Sequence, residues 1–150
     1  MVATANEHLS SLNISRTIQI DAPITIVFDC VLDQLGREFE TPDGKKLDMK
    51  LEAWPGGRWY RDLGEQAGHW WGTVQVIKPP QLIEISGPMF MSYPVASHLQ
   101  YRLRESGVGT QLELHHRAFG ELLDEHRQGV EAGWEHQLDC VAKSALATNA

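Results

Sequence analysis

Two segments far apart in the chain, Trp54-Pro55-Gly56-Gly57-Arg58-Trp59 and Gly133-Trp134-Glu135-His136-Gln137-Leu138, decide how the sequence folds. The first reads as a turn that enters a strand, because proline presets φ and glycine accepts conformations closed to other residues. The second reads as one face of a long C-terminal helix. Bulky aromatics from a sheet and from a terminal helix, each beside glycines, point to a cupped sheet closed around a helix. Such an arrangement tends to enclose an apolar cavity.

Working outward from these segments, Ile14, Ile18 and Ile20 alternate with polar neighbours, the period of a half-buried strand. Asp21 then stands where an N-cap would, with Pro23 in the first turn and Ile24, Val27, Phe28 and Val31 at helical spacing. A second short helical turn is expected around Gln34 to Glu38, and Thr41-Pro42-Asp43-Gly44 has turn chemistry. From Leu47 to Phe119 the apolar and polar residues alternate through six strands, interrupted at Gly56-Gly57, Pro79-Pro80 and Gly107 to Gly109. Alternation of this kind means one packed face and one wet face, which favours an antiparallel sheet. Residues 121 to 147 form the long helix, with Leu123, Val130, Trp134, Leu138, Val141 and Ala145 on one stripe. Gly129 and Gly133 flank that stripe at a cost of about 1 kcal/mol each against alanine. Close helix–sheet approach is the simpler reason for them; room for a ligand is the sharper one.

The expectation is an α+β domain over residues 13 to 147: a curved antiparallel sheet of about seven strands around a long C-terminal helix, with two short helices after the first strand. Residues 1 to 12 read as a flexible tail.

The ordered set of motifs resembles the START-like (SRPBCC) superfamily with its helix-grip fold, in the branch named after the homologue of the heat-shock-protein ATPase activator. The residues that carry it are Arg16-Thr17, Asp21-Ala22-Pro23, Gly56-Gly57-Arg58-Trp59 and Trp71-Gly72-Thr73-Val74, then Pro79-Pro80 and Leu82, Gly109 through His116, and Gly133-Trp134 with Leu138. The resemblance implies the fold and a cavity. It does not imply one function, because the superfamily hosts carriers, receptors, cyclases and chaperone cofactors.

Composition removes several classes. The net charge of −7 argues against non-specific binding to nucleic acid or anionic membrane, which needs basic patches. No apolar run approaches the roughly 20 residues of a membrane span. The start of the chain lacks the basic and apolar segments of a signal peptide, and Cys30 and Cys140 show no metal or redox spacing, so a cytoplasmic protein with reduced thiols is expected. The seven histidines show no ligand spacing either: His115 and His116 point to opposite faces of a strand, and His126 and His136 do not share a helix face. Neither a metal nor a cofactor is implied.

Candidate ligand contacts follow from phase. Trp59, Trp70, Tyr101 and Trp134 would supply apolar surface. Trp70 keeps phase with Gly72, Val74 and Val76, which turns it inward and leaves Trp71 outside as an interface residue. His116 shares its phase with Leu112 and Leu114 and should be buried, either as a core histidine bonded to a neighbour or as a polar handle and weak candidate for a general base. Gln137 lies within the helical stripe and needs a partner such as His116, Tyr101 or a ligand. Arg61 is in phase with Trp59, where the family more often carries an apolar side chain; it would select a carboxylate or phosphate if it faced the cavity, and the simpler reading turns it to solvent. Met89 and Met91, within Gly87 to Pro94, read as a lid over the cavity or half of a homodimer contact.

The leading function is therefore binding of a small hydrophobic or amphipathic molecule between sheet and helix. A protein-interaction module resembling the chaperone cofactors is the alternative. A cyclase- or hydrolase-like enzyme using His116 comes third, because no nucleophile or paired acid accompanies it.

Overall fold

The computed structural model describes residues 9–150. Seven strands, β1 (Ser10–Ile20), β2 (Met49–Leu51), β3 (Arg58–Gly64), β4 (Ala67–Lys78), β5 (Leu82–Gly87), β6 (Val95–Ser106) and β7 (Gly109–Gly120), form one antiparallel sheet. Their order is β1-β7-β6-β5-β4-β3-β2. Helix α1 (Ile24–Leu35) follows β1, and α2 (Asp124–Asn149) closes the chain, packed on α1 and β1. The sheet and long helix are those of the helix-grip arrangement. Residues 1–8 of the expected tail lie outside the described residues; β1 begins at Ser10, and Leu12 is already buried.

The region after β1 departs from expectation. One helix of twelve residues replaces two short ones. It ends at Gly36, whose N–H bonds back to Leu32 and Asp33, and Glu38 N–H also returns to the Asp33 carbonyl. Those bonds use up the carbonyls of the last turn, so residues 36–38 form a turn. Pro23, and not Asp21, occupies the N-cap position, without a side-chain cap bond. Proline there supplies the extended entry geometry (φ −59°, ψ 146°) and leaves Asp21 outside the helix.

The opening motif works largely as expected. Gly56 sits at φ +83°, and a Cβ on Gly57 would lie 1.8 Å from the Glu52 carbonyl oxygen. The two glycines thus let the loop fold against the sheet, where Gly56 N–H donates to Val74 O at 2.8 Å and Val74 N–H to Gly57 O at 2.8 Å. Trp59 is fully buried, and its indole N–H donates to the Leu35 carbonyl at 2.7 Å. This bond satisfies a carbonyl at the end of α1 and ties the helix to β3.

On α2 the buried positions are Val130, Trp134, Gln137, Leu138, Val141 and Ala145, the expected stripe except for Leu123, which lies one residue before the helix and is exposed.

Candidate functional site: an aromatic pocket beside α2

The pairing of β3 with β4 shapes the site. Trp59 lies opposite Gly72, but Tyr60 lies opposite Trp70, so Trp71 is an extra residue in a bulge. A bulge reverses the inside–outside phase on one side of it. Trp70 is accordingly 52% exposed, whereas Trp71 is 7% exposed and packed in the core. The expected facing of both tryptophans is therefore corrected.

Trp71 makes edge-to-face contacts with Trp59 (5.1 Å between centroids), Phe39 (5.4 Å) and Phe90 (5.8 Å). Phe90 in turn meets Trp134 and His116, both at 6.2 Å. Such edge-to-face pairs are the favoured geometry of aromatic quadrupoles, each worth about 0.5–1.5 kcal/mol beyond area burial. The aromatic chain links the sheet to α2 and walls a cavity of about 220 Å³. Phe39, Leu47, Trp71, Phe90, Val130 and Trp134 supply its apolar surface, and Glu40, Thr41 and Pro42 its remaining edge.

Gly129 and Gly133 complete the lining. No heavy atom lies within 4 Å of a Cβ built on either glycine. Close helix–sheet approach, the simpler of the two explanations, does not account for them: half-buried Gly133 has open space beside it, and Gly129 is exposed at the pocket rim.

Beneath this pocket is a buried polar layer. His116, 0% exposed, accepts a hydrogen bond at Nδ1 from the Trp134 indole N–H at 2.9 Å. Its Nε2 has no partner among the described residues. Burial drives the His116 pKa down to about 4, so the ring is neutral at pH 7. The Tyr101 hydroxyl donates to Gln137 Oε1, while Gln137 Nε2 is unpartnered. Burial also pushes the Tyr101 hydroxyl pKa well up. Of the two readings of His116, the core histidine is the one the geometry matches: it is enclosed by protein and does not line the cavity. The histidine and Gln137 satisfy their partners separately, one through Trp134 and one through Tyr101.

Among the remaining expected contacts, Trp134 alone lines the cavity. Trp59 lies behind Trp71, so the wall facing Trp134 is Trp71. Met89 and Met91 are turned into the core, and Met89 takes a left-handed φ of +61°. Between them Phe90 projects over the cavity, so it is the loop residue placed as a cover. Arg61 is half-buried in a neighbouring groove with Trp70, Met89 and Met91, on the other side of Trp71 and Phe90, which border both. Phe39, Glu40 and Leu47 were missed as lining residues because only the fold brings the loop after α1 against α2, and Phe90 was missed because the lid was read from the methionines on either side of it.

At the Glu40 end of the pocket, His136 Nε2 lies 3.0 Å from Glu40 Oε1 and 3.5 Å from Cys140 Sγ. The carboxylate and the thiol converge on the same ring nitrogen, so this is not a relay of the nucleophile–histidine–acid kind, which uses both nitrogens. Burial, with Glu40 and then Asp139 alongside, raises the Cys140 pKa, which further disfavours a free thiolate nucleophile.

Residues 21–144 match the model of the family described as activator of Hsp90 ATPase homolog 1-like protein. The chain belongs to this family. Among solved structures, this activator-homologue-like chain is similar to CalU16 from Micromonospora echinospora, with 24% identity, a TM-score of 0.63, and coverage of 93% of this chain and 85% of that one. It is also similar to CV1439 from Chromobacterium violaceum, with 18% identity, a TM-score of 0.70, and coverage of 89% and 96%. DynU16, of the dynemicin biosynthetic locus, matches at 14% identity and a TM-score of 0.62 over 91% of this chain and 48% of that one. None of the curated proteins matches the chain. At these identities the likenesses establish the fold. No helix among the described residues is long and apolar enough to cross a membrane.

Proposed function

We propose that this member of the family binds a small, largely apolar molecule in the pocket between the Phe39–Leu47 loop, Trp71, Phe90 and α2, without an assigned reaction. The observation that carries the reading is the open apolar volume beside Gly133, with Gly129 at its exposed rim, against four aromatic side chains. Two helix glycines together cost about 2 kcal/mol of stability, and filling the space with methyl groups would recover it. Retaining the space at that cost is what a binding site requires.

Size narrows the ligand. A dry cavity of about 150 Å³ accepts benzene, so about 220 Å³ suits a substituted ring or a fused pair of rings. Edge-to-face contact with Trp71, Phe90 and Trp134 favours a flat aromatic or unsaturated skeleton. Glu40 and Thr41 stand at the polar end, where a hydroxyl or a cationic group on the ligand would find an acceptor. An anionic end would be repelled there. Arg61 lies outside this pocket, so it does not supply a countercharge. The unpaired Cys30 and Cys140 support the cytoplasm as the compartment.

Native mass spectrometry of protein purified from its own cells tests the reading. One retained small molecule per chain, lost when Gly133 is replaced by leucine, is the expected result. Retention unaffected by Gly133→Leu would contradict the location.

A second reading has one observation in its favour. Trp70, 52% exposed, stands on the outer face opposite Tyr60, where Arg58 lies 4.4 Å from the Tyr60 ring. An exposed tryptophan of this kind can anchor a partner protein or a second copy of the chain. Trp70→Ala would then abolish association while leaving ligand retention intact.

A further inference from the structure

We propose that Glu40, His136 and Cys140 form a binding site for one divalent transition-metal ion of the zinc type, with three protein ligands and a fourth position open. This site is separate from the apolar pocket, although Glu40 borders both.

The argument begins with local geometry. His136 and Cys140 are one turn apart on α2, so both side chains lie on one helix face. Glu40 is brought to them by the bridge Glu40–Lys46, which holds the loop after α1 closed. A carboxylate, an imidazole and a thiol then meet, with all three ligand atoms within 4.8 Å of one another.

Their separations can be compared with what a tetrahedral ion demands. Metal–ligand distances of about 2.0 Å for nitrogen and oxygen and 2.3 Å for sulfur place N and O about 3.3 Å apart and sulfur about 3.5 Å from either. The corresponding distances here are 3.0 Å for His136 Nε2 to Glu40 Oε1, 3.5 Å for Cys140 Sγ to His136 Nε2, and 3.9 Å for Cys140 Sγ to Glu40 Oε1. Shifts of a few tenths of an ångström suffice to seat an ion.

The charge balance also suits a cation. Lys46 pairs directly with Glu38 and Lys143 with Asp139, so Glu40 feels both amines at longer range without being in contact with either. Without an ion, the three groups hold one another by hydrogen bonds, with the imidazole Nε2 and the Cys140 thiol both directed at Glu40 Oε1. A cation would satisfy all three groups together, with the thiol proton released to solvent. The mixed sulfur, nitrogen and oxygen donor set favours zinc or a similar ion over calcium or magnesium, which prefer oxygen alone.

Cobalt(II) titration, with the protein kept reduced by a phosphine, provides the test. The expected result is a thiolate-to-cobalt charge-transfer band in the near ultraviolet, with ligand-field bands of tetrahedral intensity, saturating at one equivalent and displaced by zinc. Cys140→Ser should abolish the charge-transfer band, and Cys30→Ala should leave it intact. Outer-shell changes alone cost metal sites about 10–100-fold in affinity, so His136→Ala and Glu40→Gln should each weaken binding by about a hundredfold. Each variant is checked for native circular dichroism, and X-ray absorption of the zinc-loaded wild type should show one sulfur neighbour. Absence of the band in wild type, its persistence in Cys140→Ser, or a zinc shell without sulfur would overturn the proposal. None of these outcomes depends on whether the apolar pocket holds a ligand.

Discussion

Replacing Gly129 and Gly133 by alanine should stabilise the protein and weaken its ligand binding at the same time. Each glycine costs about 1 kcal/mol in a helix interior relative to alanine. Usually some of that gain is lost to steric conflict, but nothing lies within 4 Å of either added Cβ. The single variants should therefore gain about 1 kcal/mol each and the double variant about 2 kcal/mol. In a chain of this size that corresponds to a rise in Tm of roughly 4–8 °C for the pair. A methyl group occupies roughly the space of a water, about 30 Å³, so one on half-buried Gly133 would remove about a seventh of the 220 Å³ cavity, and one on exposed Gly129 would narrow its rim. Calorimetric melting of the free proteins reads the first effect, and titration with a bicyclic aromatic probe reads the second. Destabilisation of either alanine variant would show that α2 packs closely at these glycines, and the reasoning would fail.

Other consequences can be checked independently. The His116 pKa of about 4 lies below the roughly 6.5 of an unfolded histidine. The unfolded chain therefore takes up the proton first, so stability is full above about pH 6.5 and falls as pH drops toward about 4. By linkage the loss attributable to this residue at pH 4.5 is about 2–3 kcal/mol; urea unfolding of wild type and His116→Gln at pH 7.5 and pH 4.5 should show a shallower decline in the variant, and equal declines would refute the assignment. Tyr101→Phe strips Gln137 of its side-chain partner and should cost about 1–3 kcal/mol, whereas Tyr101→Phe combined with Gln137→Leu should recover much of that loss in a double-mutant cycle. Trp59→Phe leaves the Leu35 carbonyl without its indole donor and should lower stability in denaturant titration by about 1–3 kcal/mol or more, with no change in ligand affinity, because Trp59 lies behind the pocket wall.

Much of the fold was legible because it rests on local periodicity. The alternation in β6 and β7 and the stripe on α2 survive almost residue for residue. Gly56-Gly57 was readable as a turn because its backbone demands are local. The site was less legible because two of its determinants are not periodic. The bulge at Trp71 depends on how β3 pairs with β4, and a one-residue slip exchanges the faces of Trp70 and Trp71. Strand phase read from Gly72 and Val74 was sound up to that bulge and misleading beyond it, and a second irregularity between Val74 and Val76 packs Ile77, not Val76, against the core. Glu40 and Phe39 reach the pocket only after the loop following α1 folds against α2. The four-residue spacing of His136 and Cys140 was visible in sequence, but their third partner lies 96 positions from His136. His116 and Gln137 were correctly placed inside, since an inward polar residue is revealed by phase alone, although phase could not show that they lie beneath the pocket instead of lining it.

The central claim, that an apolar ligand occupies the space between Trp71, Phe90 and Trp134, is tested most directly by following the indole N–H resonances during titration with a fused-ring aromatic bearing a hydroxyl group. Trp71 and Trp134 should shift together and saturate at one equivalent, with the exposed Trp54 and Trp70 unchanged. Shifts confined to Trp54 or Trp70, or no saturable change at any indole, would contradict it.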